Sequence, residues 1–114
     1  MATGDQLRAD TFTLFDIETI SSEHRVELQL VGELDVGTAA PLRQALRHAS
    51  DDGVETIVLD LSALKFIDST GLHELVVAQK RQQVRGGQIV LQSPTAQTRR
   101  VLEIVGLDRL FTIR

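Results

Sequence analysis

The stretch Val58–Leu75, VLDLSALKFIDSTGLHEL, decides how the rest of the chain is read. Its beginning belongs to the run Thr56–Leu61, TIVLDL, which is short, apolar and rich in β-branched residues. Such a run is the pattern of a strand covered on both faces in a parallel sheet. Its end, Phe66-Ile67-Asp68-Ser69-Thr70-Gly71-Leu72, leads out of a loop into a helix with Leu72, Leu75 and Val76 facing inward. Asp68 or Ser69 supplies the N-cap, since both side chains accept hydrogen bonds from the free N–H groups of a first helical turn. A buried strand followed by an amphipathic helix is the first part of a βαβ unit.

Further along, a polar stretch from Gln79 to Gln83 completes the helix and Gly86-Gly87 ends it. Ile89–Leu91 reads as another buried strand, and Ser93-Pro94-Thr95 opens a third helix with Val101, Leu102 and Val105 towards the core. Gly106 suits a helix C-terminus, and Phe111–Ile113 adds a short closing strand. Upstream, Thr38 is an N-cap and Pro41 fits a first turn. Leu42, Ala45, Leu46 and Ala49 then share one helical face, before Asp51-Asp52-Gly53 stops the helix. Val26, Leu28 and Leu30 alternate with Glu27, Gln29 and Val31, the period of a half-buried strand. Phe12, Leu14, Ile17 and Ile20 give a strand before it, with a register break near Phe15 and a polar turn at Ser21–His24. So short a turn implies an antiparallel hairpin.

The expected order is β-β-α-β-α-β-α with a closing strand. It describes an α/β domain over 11–114: a mixed four- to five-stranded sheet, an antiparallel N-terminal hairpin and three or more helices. Residues 1–10 are polar and aperiodic, and are expected to form a flexible tail.

Composition narrows the function. The 114 residues carry a formal net charge of −4, with 12 Lys and Arg against 16 Asp and Glu. Basic residues are scattered, and there is no Trp or Tyr. Nucleic-acid binding wants a concentrated basic face or aromatic platforms, so direct binding of that kind is not expected. There is no cysteine, which suits a reducing compartment. Charged residues interrupt the first twenty positions, and no apolar run approaches the roughly 20 residues that span a bilayer. A cytoplasmic protein without membrane association is expected.

The chemistry concentrates where Asp68, Ser69 and Thr70 meet a helix N-terminus, at the carboxyl end of a buried strand, which is where open α/β sheets usually meet ligands and partners. Capping is the ordinary use of such residues. A helix N-terminus also tolerates an attached anion, because its N–H groups and dipole favour negative charge. A phosphate on Ser69 would add roughly −1.5 to −2 charges there. A nucleophilic role for Ser69 with His73 is disfavoured: the G-x-S-x-G pattern is missing, with Ile67 where the first glycine belongs. His24, His48 and His73 have no metal-ligand spacing. No catalytic residue, metal or cofactor is assigned.

Taken together, several motifs resemble the STAS family, and within it the bacterial anti-sigma-factor antagonists. These are Gly32-Glu33-Leu34-Asp35, Thr38-Ala39, Ile57–Ser62, Phe66–Leu72, Gly87–Leu91, Arg100-Val101-Leu102 and Gly106-Leu107-Asp108. The resemblance runs from about Phe12 to the end of the chain. It implies a partner switch. The unphosphorylated antagonist binds an anti-sigma factor that is also a serine kinase, which frees the sigma factor. Phosphorylation of the serine matching Ser69, with Thr70 a lesser acceptor, breaks the complex, and a PP2C-type phosphatase reverses it. Asp35 and Asp68 match acidic positions beside the phosphosite. Gly71 belongs to the same motif, and His73 and Val77 lie on the Ser69 side of the helix, so these residues form the expected partner surface. A monomer or weak dimer is expected. The alternative is a STAS scaffold or a regulatory subunit of a signalling or transport complex, with no sigma factor involved.

Overall fold

The computed structural model describes residues 15–114, so the expected tail at residues 1–10 and the strand positions Phe12 and Leu14 lie outside the described residues. Five strands form one sheet in sequence order: β1 (Phe15–Ser21), β2 (Arg25–Leu34), β3 (Thr56–Ile67), β4 (Gln88–Gln92) and β5 (Thr112–Ile113). β1 and β2 are antiparallel, and every other neighbouring pair is parallel. The helices α1 (Ala39–Asp51), α2 (Ser69–Val84) and α3 (Ala96–Ile104) supply the crossovers. None of the described helices is long and apolar enough to cross a membrane.

The hairpin closes where Ser22 donates its backbone N–H to the Arg25 carbonyl at 2.8 Å. Ile17 then stands opposite Leu30, and Phe15 opposite Gly32. On β2, Val26, Leu28, Leu30 and Leu34 point into the core, where they meet Ile57, Leu59 and Leu61 of β3 and Ile89 and Leu91 of β4. Leu42 and Leu46 of α1, Leu75 of α2, Leu102 of α3 and Phe111 cover this layer.

β3 is longer than its apolar run predicts. The segment expected to be a loop before Ile67 is strand, paired with β2 as far as Leu34↔Ile67. Its pleat is interrupted twice. Gln29 faces Asp60 while Val31 faces Ala63, and Gly32 faces Leu64 while Glu33 faces Phe66. Each step leaves an extra residue on β3, and each such bulge carries the next side chains to the opposite face. The β3 positions in the core cluster therefore run Ile57, Leu59, Leu61, then Leu64 and Ile67, while Val58 is buried on the other face.

Three further expectations change. Thr38 precedes α1, but its side chain makes no cap hydrogen bond to the helix. Val105 is 52% exposed rather than buried, because α3 ends at Ile104 and Gly106 (φ 77°) turns the chain away. Leu107 and Leu110 pack against the core instead. Gln79 and Gln82, in the stretch read as polar, are buried. Gln79 donates to the Leu110 carbonyl at 2.9 Å and accepts from the Ile89 N–H at 2.9 Å. Gln82 Nε2 reaches the Val54 and Glu55 carbonyls at 3.1 and 3.3 Å. Both amides serve as struts between α2 and the strand ends beside it.

Candidate functional site

The carboxyl ends of β2 and β3 and the first turn of α2 come together at one end of the sheet. Asp68 joins them. Its backbone N–H donates to the Leu34 carbonyl at 3.1 Å, so the last residue of β2 is tied to the residue that starts α2. Asp68 is the N-cap, with extended backbone, and its Oδ1 accepts from the Gly71 N–H at 3.0 Å. Its carbonyl accepts from the Leu72 N–H at 3.0 Å. Of the two capping candidates the sequence offers, Asp68 takes the role and Ser69 becomes the first helical residue.

Among the described residues, that leaves the Ser69 hydroxyl uncommitted. Ser69 is exposed and Thr70 is half-buried. Neither of their backbone N–H groups has a partner among the described residues, so the free donor end of α2 lies beside the hydroxyl. His73 is exposed one turn further along and Val77, half-buried, follows a turn later, so Ser69, His73 and Val77 share a stripe at i, i+4 and i+8. Among the described residues neither Ser69 nor His73 makes a side-chain hydrogen bond.

Gly71 is set by packing. A Cβ placed on it would stand 2.7 Å from Leu34 Cγ and 2.9 Å from Ile67 Cγ1. Both neighbours are core residues, so the absence of a side chain lets α2 begin directly on the strand ends.

Asp35 sits in the loop that leaves β2. Its Oδ1 accepts from the Gly37 N–H at 2.9 Å, which shapes the turn. Thr38 Oγ1 accepts from the Asp35 N–H at 2.9 Å and gives its proton to the Glu33 carbonyl at 2.8 Å. The 3.2 Å approach of that hydroxyl to Asp35 Oδ1 is therefore a contact, since the proton is already used. Thr38 thus pins the Asp35 loop instead of capping α1.

Asp35, Asp68, Ser69, Thr70 and Gly71 are brought to one end of the sheet, while His73 and Val77 extend the surface along α2. Sequence reasoning passed over two apolar residues at its rim. Val36 is 78% exposed in the Asp35 loop, and Phe66, the penultimate residue of β3, is 44% exposed. A valine between Asp35 and Gly37 in a turn was the available signal, since turns rarely need one. Phe66 gave none, because its outward direction depends on the second bulge.

The sequence profile of the family described as "Mlab, STAS domain" matches residues 17–112, which takes in both strand ends, the Asp35 loop and all of α2. The chain belongs to the STAS domain family. Among its STAS relatives is the anti-sigma-F factor antagonist RsfB of Mycobacterium tuberculosis, 35% identical over 88 residues that cover 75% of this chain and 70% of the relative. The crystal structure of an anti-sigma factor antagonist from Mycobacterium paratuberculosis superposes with a TM-score of 0.79 at 27% identity, covering 89% of this chain and 86% of the other. The Bacillus cell fate determinant SpoIIAA in its phosphorylated form has a TM-score of 0.69 at 26% identity, covering 88% and 90%. The mixed five-stranded sheet with its antiparallel β1–β2 hairpin is the fold shared with these antagonists.

Proposed function

We propose that this STAS domain is an anti-sigma-factor antagonist of the cytoplasm, without catalytic activity, switched by phosphorylation of Ser69. Unphosphorylated, it binds an anti-sigma factor that is also a serine kinase and thereby frees a sigma factor. Once Ser69 is phosphorylated the complex parts, and a PP2C-type phosphatase restores it. The observation that carries this reading is the exposed Ser69 hydroxyl at the first position of α2, which makes no hydrogen bond among the described residues because Asp68 does the capping. The names of the antagonist relatives support the same reading.

The partner surface consists of Asp35, Asp68, Ser69, Thr70, Gly71, His73 and Val77, with Val36 and Phe66 as apolar contacts at its rim. Thr70, half-buried, is the poorer acceptor for a kinase. The new phosphate joins a surface that already carries Asp35 and Asp68. Inside a fitted interface such an anion must lose water, and like charges brought together cost several kcal/mol. Each 1.4 kcal/mol is about tenfold in affinity, so the complex dissociates without any large change of shape.

The test is to incubate the purified chain with ATP and the candidate kinase, map the phosphate by mass spectrometry, and measure binding of the Ser69→Asp variant. Phosphate on Ser69, its absence in Ser69→Ala, and at least about a hundredfold weaker binding of Ser69→Asp are expected, from roughly 3 kcal/mol of repulsion and desolvation. Ser69→Asp binding as tightly as the unaltered chain would refute the switch.

A further inference from the structure

Beyond the Ser69 end of α2, a groove of about 210 Å³ opens between α1 and α2. It is lined by Arg43, Arg47 and the almost fully buried Leu46 from α1, and by His73, Val77 and Arg81 from α2. Three guanidinium groups in one groove stand out in a chain of net charge −4. Glu74, 8% exposed, is the carboxylate in the lining, and Arg43 occupies it: Nε and Nη2 both donate to Oε2, at 3.0 and 2.8 Å. A carboxylate so deeply placed needs such a partner, because removing it from water is costly. Arg43 and Glu74 therefore neutralise one another and brace α1 against α2. Arg47 and Arg81 form no ion pair among the described residues and keep their charge for something else.

We propose that this groove, which shares His73 and Val77 with the Ser69 surface, extends that docking surface along α2 and receives an acidic segment of the protein partner, with its carboxylates on Arg47 and Arg81 and an apolar side chain over Val77. The inference rests on the reading that the Ser69 face binds an anti-sigma factor, and adds what that partner must present. Arginine suits the task because its planar fork meets a carboxylate through two parallel hydrogen bonds. Position suits it too. Arg81 lies twelve residues after Ser69 on the same helix, about 18 Å along the axis. An ordinary interface of about 800 Å² per partner spans that distance.

The probes are the purified serine-kinase anti-sigma factors encoded in the same genome. Each is titrated against the unaltered chain, Ser69→Asp, and the double variant Arg47→Glu/Arg81→Glu, at about 50 and about 300 mM salt. The double variant is expected to bind ten- to a hundredfold more weakly at low salt, to associate more slowly, and to lose most of its salt dependence. Arg47→Gln/Arg81→Gln, which adds no charge, falls between the two and serves should the reversed pair fail to fold. Loss of binding in Ser69→Asp with full binding and unchanged salt dependence in both arginine variants overturns the groove alone. Full binding by Ser69→Asp, or capture of no anti-sigma factor by the unaltered chain, overturns the switch and the groove with it. Displacement of the partner by millimolar inorganic phosphate from the unaltered chain but not from the arginine variants assigns the groove to a small anion and overturns the acidic-segment proposal.

Discussion

Replacing Gly71 by alanine should destabilise the fold, although alanine is the better helix former. The added Cβ would lie 2.7 Å from Leu34 Cγ and 2.9 Å from both Leu34 Cδ2 and Ile67 Cγ1. Comfortable carbon separations are about 3.5–4.0 Å, so a gap of nearly 1 Å must open. Leu34 is 0% and Ile67 6% exposed, and both are held in the core cluster, so neither can swing into solvent. Overpacking of this kind costs about 1–3 kcal/mol. Alanine recovers at most about 1 kcal/mol of helix propensity, and less in a first turn. The net loss is about 1–2 kcal/mol, or roughly 4–10 °C in Tm for a domain of this size. Urea unfolding of the variant should show a lower midpoint with an unchanged slope. A repair follows from the same geometry. Trimming Leu34 to alanine, which removes the clashing Cγ and Cδ2, costs about 2–5 kcal/mol alone but less in the Gly71→Ala background, a non-additive pair. A Gly71→Ala variant as stable as the unaltered chain would sink the packing argument and leave recognition by a partner as the reason for the glycine.

Two other substitutions test local accounts. Asp68→Ala removes the cap that accepts from the Gly71 N–H, and should cost about 1 kcal/mol in thermal unfolding, while Asp68→Asn recovers most of it. Gln79→Ala leaves the Ile89 N–H and the Leu110 carbonyl without their partner. At about 1–3 kcal/mol for each buried polar group left unsatisfied, calorimetry should find a loss of about 2–4 kcal/mol, well above that for an exposed glutamine such as Gln83.

The element order, the hairpin and the parallel crossovers were legible because apolar periodicity and capping residues agree along most of the chain. Reading failed where periodicity itself is broken. The bulges in β3 change its inward spacing from two residues to three at Leu64 and Ile67, and a run without a period of two looks like a loop. On α2, the inward stripe through Leu72 and Leu75 continues to Gln79 and Gln82, but their polarity hid it. Their partners, the Leu110 carbonyl and the backbone around Val54 and Ile89, are distant in sequence and leave no local trace. Val105 misled for the opposite reason: its spacing from Leu102 is helical, but the helix has ended. At the site, the competition between Asp68 and Ser69 for the cap could be posed from the sequence. Only the extended backbone of Asp68 and its bond to Gly71 decide it, and that decision frees the serine.

The bond from the Asp68 N–H to the Leu34 carbonyl bears on how Ser69 can be reached. Ser69 stands on a shoulder riveted to the strand beside it and wedged from below at Gly71. A kinase of the proposed switch would therefore have to bring its catalytic groups to the intact domain and fit the contours around the shoulder. Its selectivity would come from shape, and a short peptide carrying the same letters would lack that surface.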